Sequence, residues 1–234
     1  MKQIISLLLG TLPLAAAAQT PTDTATTYRH QLGLTASPQL NKFFTANRSL
    51  PLGLLYQRQV KPNQAVRARL VGQYSRRDTA DFAGSLPGSS NRYWELNGYV
   101  GYEWQQQLGR HTSLYYGAEV GTGISQRSFH DVRSGQDTNG DYQYDALRTS
   151  KQWRVEVRPF LGISVAVSQR VHLFAESVVS TSYTRRRDDY NGTGTRTYPN
   201  GLTVPTGVVT AYVNSDVWQV RWRPVQLMGL SFGL

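Results

Sequence analysis

Few residues in this chain have the types and spacing that chemistry needs, and the sharpest group is acidic. Asp137, Asn139, Asp141, Gln143 and Asp145 place oxygen-bearing side chains at alternate positions, with Gly140 among them to turn the chain. That is a donor set for a hard cation, and its first half has the spacing of a calcium loop. The bidentate Glu that closes an EF-hand loop is missing, and Gly140 precedes Asp141 instead of following it. Two readings stand: a calcium site, the one cofactor the chain suggests, or a solvated polar loop tip. A hydrolase would need a base beside a nucleophile. The bases on offer are His30, His111, His130 and His172. His111 and Ser113 have a His-x-Ser spacing but fall at a short turn. His130 stands beside Ser128 and Asp131 with no third partner evident. His30 and His172 lie inside alternating segments, where a structural role is the simpler reading. No Cys/His metal box and no glycine-rich phosphate loop opening a helix is present. The expectation is a protein that is not an enzyme.

Eleven other charges follow another pattern. Arg67, Arg69, Glu95, Glu103, Glu119, Arg154, Glu156, Arg158, Glu176, Arg221 and Arg223 all occupy the polar positions of alternating stretches. If that face is shut away from water the charges must pair, because an unpaired buried ion costs on the order of several kcal/mol. Folding the hairpins about their turns places Glu103 near Arg67 and Glu119 near Arg158. A second basic group, Arg76, Arg77, Arg148, Lys151, Arg185, Arg186 and Arg187, gathers at the ends of the same stretches. There guanidinium groups can fork onto the phosphates of anionic lipid or lipopolysaccharide; solvated surface charge is the alternative.

What must position these residues is a set of strands. From Trp153 the odd positions read Trp153, Val155, Val157, Pro159, Leu161, Ile163, Val165 and Val167, while the even ones read Arg154, Glu156, Arg158, Phe160, Gly162 and Ser164. After a turn at 168–170, Val171, Leu173, Ala175 and Val179 alternate with His172, Glu176, Ser180 and Ser182. A period of two means strands with one apolar and one polar face. Each run is long enough to cross a bilayer, which takes about 9–11 tilted residues. The same pattern predicts strands over 28–37, 50–60, 64–76, 92–105 and 112–125, and a last one from Trp218 to the end. Short turns at 61–63, 106–110 and 168–170 alternate with long loops at 38–49, 77–91, 126–150 and 185–215. Pro159 and Pro224 lie inside strands, where each removes a ladder hydrogen bond, so a bulge is expected at each, or a strand break near Pro224. Val178, Val225 and Leu227 fall on the polar face, which predicts a register slip there.

Targeting and composition set the compartment. Lys2, an apolar run from Ile4 to Leu14 and the small residues Ala16, Ala17 and Ala18 read as a secretory signal over 1–18. Residues 19–27 are a polar lead-in, and 28–234 form the barrel domain. The absence of cysteine excludes disulfide staples in an exported chain. Net charge is +10, mostly from arginine, but export argues against nucleic acid as the partner. A mean hydropathy of −0.43 speaks against a helical membrane protein and not against a barrel, half of whose strand residues face a polar interior.

Periodicity alone does not say which face points inward. The aromatic residues do: Tyr74, Trp94, Trp153, Tyr183, Trp218 and Trp222 fall toward the long-loop ends, and Tyr56, Tyr102, Trp104 and Phe232 toward the short-turn ends. Two aromatic girdles flanking an aliphatic band, with short turns on one side and long loops on the other, are what an outer-membrane barrel requires. The signal, the eight alternating strands and the ending Met228-Gly229-Leu230-Ser231-Phe232-Gly233-Leu234 resemble the small outer-membrane barrel family, typified by the OmpA transmembrane part and OmpX. That resemblance implies an all-β, transmembrane, antiparallel up-and-down barrel of about eight strands in a Gram-negative outer membrane. It also implies recognition of the last strand by the barrel-assembly machinery, with the family's terminal aromatic standing here at Phe232. The expected function is structural or adhesive, through extracellular loops whose ligand is unknown, with a charge-paired, plugged lumen. A narrow pore for ions or small solutes is the alternative, and an outer-membrane lipid-modifying enzyme or protease comes third.

Overall fold

The computed structural model describes residues 29–36, 52–79 and 88–234. The expected signal (1–18), lead-in (19–27) and first long loop (38–49) lie outside the described residues, as does most of the expected loop 77–91. Eight strands follow in chain order: β1 (His30–Ala36), β2 (Leu52–Lys61), β3 (Gln64–Thr79), β4 (Ser89–Gln107), β5 (Thr112–Asp137), β6 (Gly140–Ala166), β7 (Val171–Thr197) and β8 (Thr203–Gly233). Each pairs antiparallel with its chain neighbours, and β1 closes on β8 through Gln31–Gly233 to Ala36–Met228, giving an up-and-down barrel without a free seam at its base. Closure satisfies the ladder groups that an open sheet would leave at its edges.

The expected loops 126–150 and 185–215 are strands instead. β5 and β6 stay paired from Thr112–Val165 to a tight turn at Asp137–Gly140, where Gly140 adopts a φ of 123°. β7 and β8 stay paired to Thr197–Thr203. These stretches mix polar and apolar residues on both faces, so they lack the one-sided alternation that marked the barrel strands; their Thr, Tyr and Val content suits an extended ladder. The wall therefore rises like a staircase, from 7 residues in β1 to 31 in β8. β5 to β8 continue roughly 30 Å past the girdle of Trp153, Tyr183 and Trp218, at about 3.3 Å per residue with barrel tilt.

The two prolines behave differently. At Pro224 the β7–β8 register shifts between Glu176 and Val178, with Pro224, Val225 and Gln226 bulging opposite Ser177. At Pro159 there is no bulge: the β6–β7 register is the same on either side, and the ladder simply skips Arg158 and Pro159. Leu227 and Val178, flanking the bulge, lie on the inward rows of their strands, and both are buried.

The interior is a mixed core. Toward the turns, Leu55, Tyr115, Phe160, Phe174, Val178 and Leu227 form an apolar cluster inside the barrel. Each ring there covers a glycine across the ladder: Phe160 over Gly117, Tyr115 over Gly162, Phe174 over Gly229. A Cβ on any of those glycines would collide with the ring, so glycine is what lets aromatic side chains fold flat against a narrow wall.

Candidate functional site

Beside the apolar cluster the lumen is ionic, and Arg67 is its hub. Residue 67 faces inward because its β3 neighbours Val66 and Ala68 belong to the outward row. Its Nη1 donates to Glu103 at 3.0 Å and its Nη2 to Glu176 at 3.0 Å, while Nε makes an ion contact with Glu119 at 2.8 Å. The guanidinium plane rests on Phe160, 4.2 Å from the ring centre, a cation–π contact strengthened by exclusion of water. Arg69 joins through Glu119 at 2.6 Å. Glu103 accepts further hydrogen bonds from Gln57 (2.8 Å) and Gln105 (2.7 Å). Arg67, Glu103, Glu119 and Glu176 are all almost completely buried. The expected Arg67–Glu103 pair forms. Glu119 and Arg158 are ladder neighbours, as the register requires, but Glu119 spends both oxygens on Arg67 and Arg69, and no ion pair joins it to Arg158.

Toward the long-strand end the composition changes. Tyr99 lies between two guanidinium groups, with Arg69 and Arg158 each 4.6 Å from its ring centre. Its hydroxyl donates to Glu156 at 3.2 Å. Glu95 gathers Arg154, Tyr93 and Asn97 around one carboxylate. Arg223 donates to the neutral Gln226 at 2.7 Å. Arg221 lies on the inner face of β8 but is exposed. The inner half is thus richer in carboxylate and the outer half richer in guanidinium.

No family model matches the sequence, and no curated protein matches it. Solved structures do align with most of the chain. CarO of Acinetobacter baumannii shares 12% identity over 91% of this chain and 100% of its own, with a TM-score of 0.36. A major outer membrane protein from Thermus thermophilus shares 10% identity over 87% of this chain and 97% of its own, with a TM-score of 0.43. LpxR from Salmonella typhimurium shares 6% identity over 88% of this chain and 100% of its own, with a TM-score of 0.27. At such distances no activity passes from these proteins to this one.

The other candidate residues separate. The basic rim splits by strand parity: Arg76, Lys151, Arg185 and Arg187 continue the outward row, while Arg77, Arg148 and Arg186 share the inner face with Ser150 and Ser182. On that inner face Asp188 accepts from Arg186 (2.8 Å) and Arg148 (3.3 Å). Burial alone would raise the Asp188 carboxyl, but hydrogen bonds from Arg186, Ser150 and Arg148 hold it below the usual aspartate range. Outside, Lys151 and Arg187 face one another across the ladder, and with Thr149, Asp189 and Tyr212 they line a shallow open cleft.

The calcium candidates are not brought together. Thr138 and Asn139 form the hairpin turn, while Asp141, Gln143 and Asp145 are spread along one face of β6, about 7 Å between successive members. Among the described residues no three His, Cys, Asp or Glu groups converge as metal ligands. Asp145 instead contacts His130 Nε2 at 2.7 Å, and Asp131, the sequence neighbour, pairs with Arg133. The long β5–β6 ladder supplies this third group for His130, because Val132 and Asp145 are opposite each other. Both side chains stand open to solvent on an outward face. His30 also faces outward and hydrogen-bonds Tyr56 at 2.8 Å.

Tyr99, Tyr115, Phe174, Gln57 and Gln226 escaped the sequence reading of the lumen. The available signal was glycine: each of the three rings falls on a polar row directly opposite a Gly of the adjoining strand.

Proposed function

We propose that the protein is an integral outer-membrane barrel of a Gram-negative envelope, with a closed lumen and a structural or adhesive role carried by the sheet that extends beyond it. The observation that supports this reading is the inversion of faces. Leu34, Leu54, Val100, Val120 and Val220 are each more than half exposed, whereas the ionic hub is sealed inside. A water-soluble barrel arranges its rows the other way. An apolar band encircling the molecule needs hydrocarbon around it. Paired rings edge that band: Trp104 lies 5.8 Å from Tyr116 at one rim, and Tyr183 lies 5.1 Å from Trp218 at the other.

Partners follow from position. Residues 1–18 suit export, and the last strand suits the barrel-assembly machinery. Arg76, Lys151, Arg185 and Arg187 continue the outward row just beyond the outer girdle, which supports contact with lipopolysaccharide phosphates. The buried rings and ion pairs of the turn-side interior favour a closed lumen over a pore. The four-stranded sheet of β5 to β8 offers the surface for contact with other cells or matrices.

The test has two parts. Detergent-refolded protein is run on a gel with and without boiling, and expressing cells are fractionated with carbonate washes. A mobility shift and retention in the membrane support the barrel; a detergent-free monomer in the supernatant rejects it. Cells displaying the whole chain are then compared in adhesion with cells displaying a chain trimmed of residues 131–146 and 191–210. Equal adhesion rejects the adhesive role.

A further inference from the structure

We infer that the outer half of the lumen holds a small inorganic anion, bound by the guanidinium of Arg158. This rests on the interior geometry and is independent of the adhesive reading. Arg158 is 4% exposed, and its Nε and Nη2 have no acceptor among the described residues. A guanidinium carries five donors in a rigid fork and does not lose its proton. It cannot escape burial by turning neutral, as a lysine can. Its neighbours cannot serve it. Glu119, across the ladder, is committed to Arg67 and Arg69. On its other side β6 is out of the ladder at Arg158 and Pro159. Tyr99 offers a ring face, which meets the charge but supplies no lone pair to the N–H groups.

The surroundings add positive charge. Arg223 feels the charges of Arg221, Arg158 and Arg154 together with that of Glu156. Glu156 already accepts from Tyr99, and Arg154 is held by Glu95. A cluster with more guanidinium than carboxylate draws in a counter-ion, and the attraction is strongest at its buried member, Arg158. The fork of Arg158 provides the directed donors, and Arg223 adds charge behind it. A compact monovalent anion such as chloride suits so filled an interior.

Detergent-refolded protein is unfolded by heat in sodium chloride and in sodium gluconate at matched ionic strength. If chloride binds the native state alone, the midpoint rises by roughly 5–10 °C once chloride exceeds its dissociation constant about 100-fold. Arg158→Gln is expected to abolish that rise. Equal midpoints in the two salts, or an unchanged rise in the variant, overturns the site and leaves water as the partner of Arg158. Should Arg158→Gln fail to fold, crystals of the unaltered protein grown in bromide decide: an anomalous peak within hydrogen-bonding reach of Nε or Nη2 supports the site, and its absence there overturns it.

Discussion

The ring of Tyr99 lies flat over Gly121, its ladder partner across β4 and β5. The pair fixes where Arg69 and Arg158 stack, so a residue without a side chain decides the position of two charges. Replacing Gly121 by Val drives a branched side chain into the ring. The expected loss is about 1–3 kcal/mol of stability from overpacking, read by urea unfolding in detergent. Gly98 is the control: a Cβ there meets nothing within 4 Å, and Gly98→Ala should stay within about 0.5 kcal/mol of the parent.

Arg67 serves three carboxylates, so its loss leaves several buried charges uncompensated. Arg67→Met should cost about 3–5 kcal/mol. Adding Glu176→Gln, which removes one stranded carboxylate, should recover part of that loss. A double variant no more stable than Arg67→Met alone would show that Glu176 does not depend on the hub.

Val120 stands midway along the outward row of β5, between Tyr116 and Ile124, and is half exposed. In a bilayer Val120→Arg should destabilise by about 2–4 kcal/mol, the range for a basic residue near the midplane of a barrel. A change below about 0.5 kcal/mol would mean that water bathes this face.

How much of this was legible in the sequence differs by region. The period of two in 153–183 showed the strands, the ring of short turns and the inward charges, because a narrow polar lumen and an apolar outer face force strict alternation. The Arg67–Glu103 pair followed from register alone. The extension of β5 to β8 did not, because a ladder with water on both faces has no reason to alternate. The fate of Arg158 was hidden too: a register gives neighbours, but not which of two arginines wins a shared carboxylate. Pro159 and Pro224 looked alike in sequence and diverge in the structure, where only the strand at Pro224 bulges.

Asp188 gives a pH signature outside the barrel. Its folded carboxyl is depressed by Arg186, Ser150 and Arg148, so its stabilising effect is fully present above the unfolded value of about 3.9. That effect is lost as pH falls through the lower, folded value. Hydrogen exchange of β6 and β7 around residues 148–150 and 186–190 should be faster in Asp188→Asn than in the parent at neutral pH. The difference should shrink to nothing in strong acid; a difference that persists there would point to a cause other than ionisation.

Lys151 and Arg187 face each other on the outward face just above the aromatic rim. Reversing both to Glu should reduce the lipopolysaccharide that co-purifies with the protein, measured by native mass spectrometry. Reversing Arg148 and Arg186, on the inner face, should leave it unchanged.

The single guanidinium at residue 67 reaches partners 36 and 109 positions away in the chain. It acts as the axle of a wheel whose spokes run to β4, β5 and β7. Spokes of set length keep the rim round, so this cylinder resists being squeezed oval by pressure from the side. The hub also cannot be completed until the seventh stave has arrived, so the final cross-section is locked only near the end of folding.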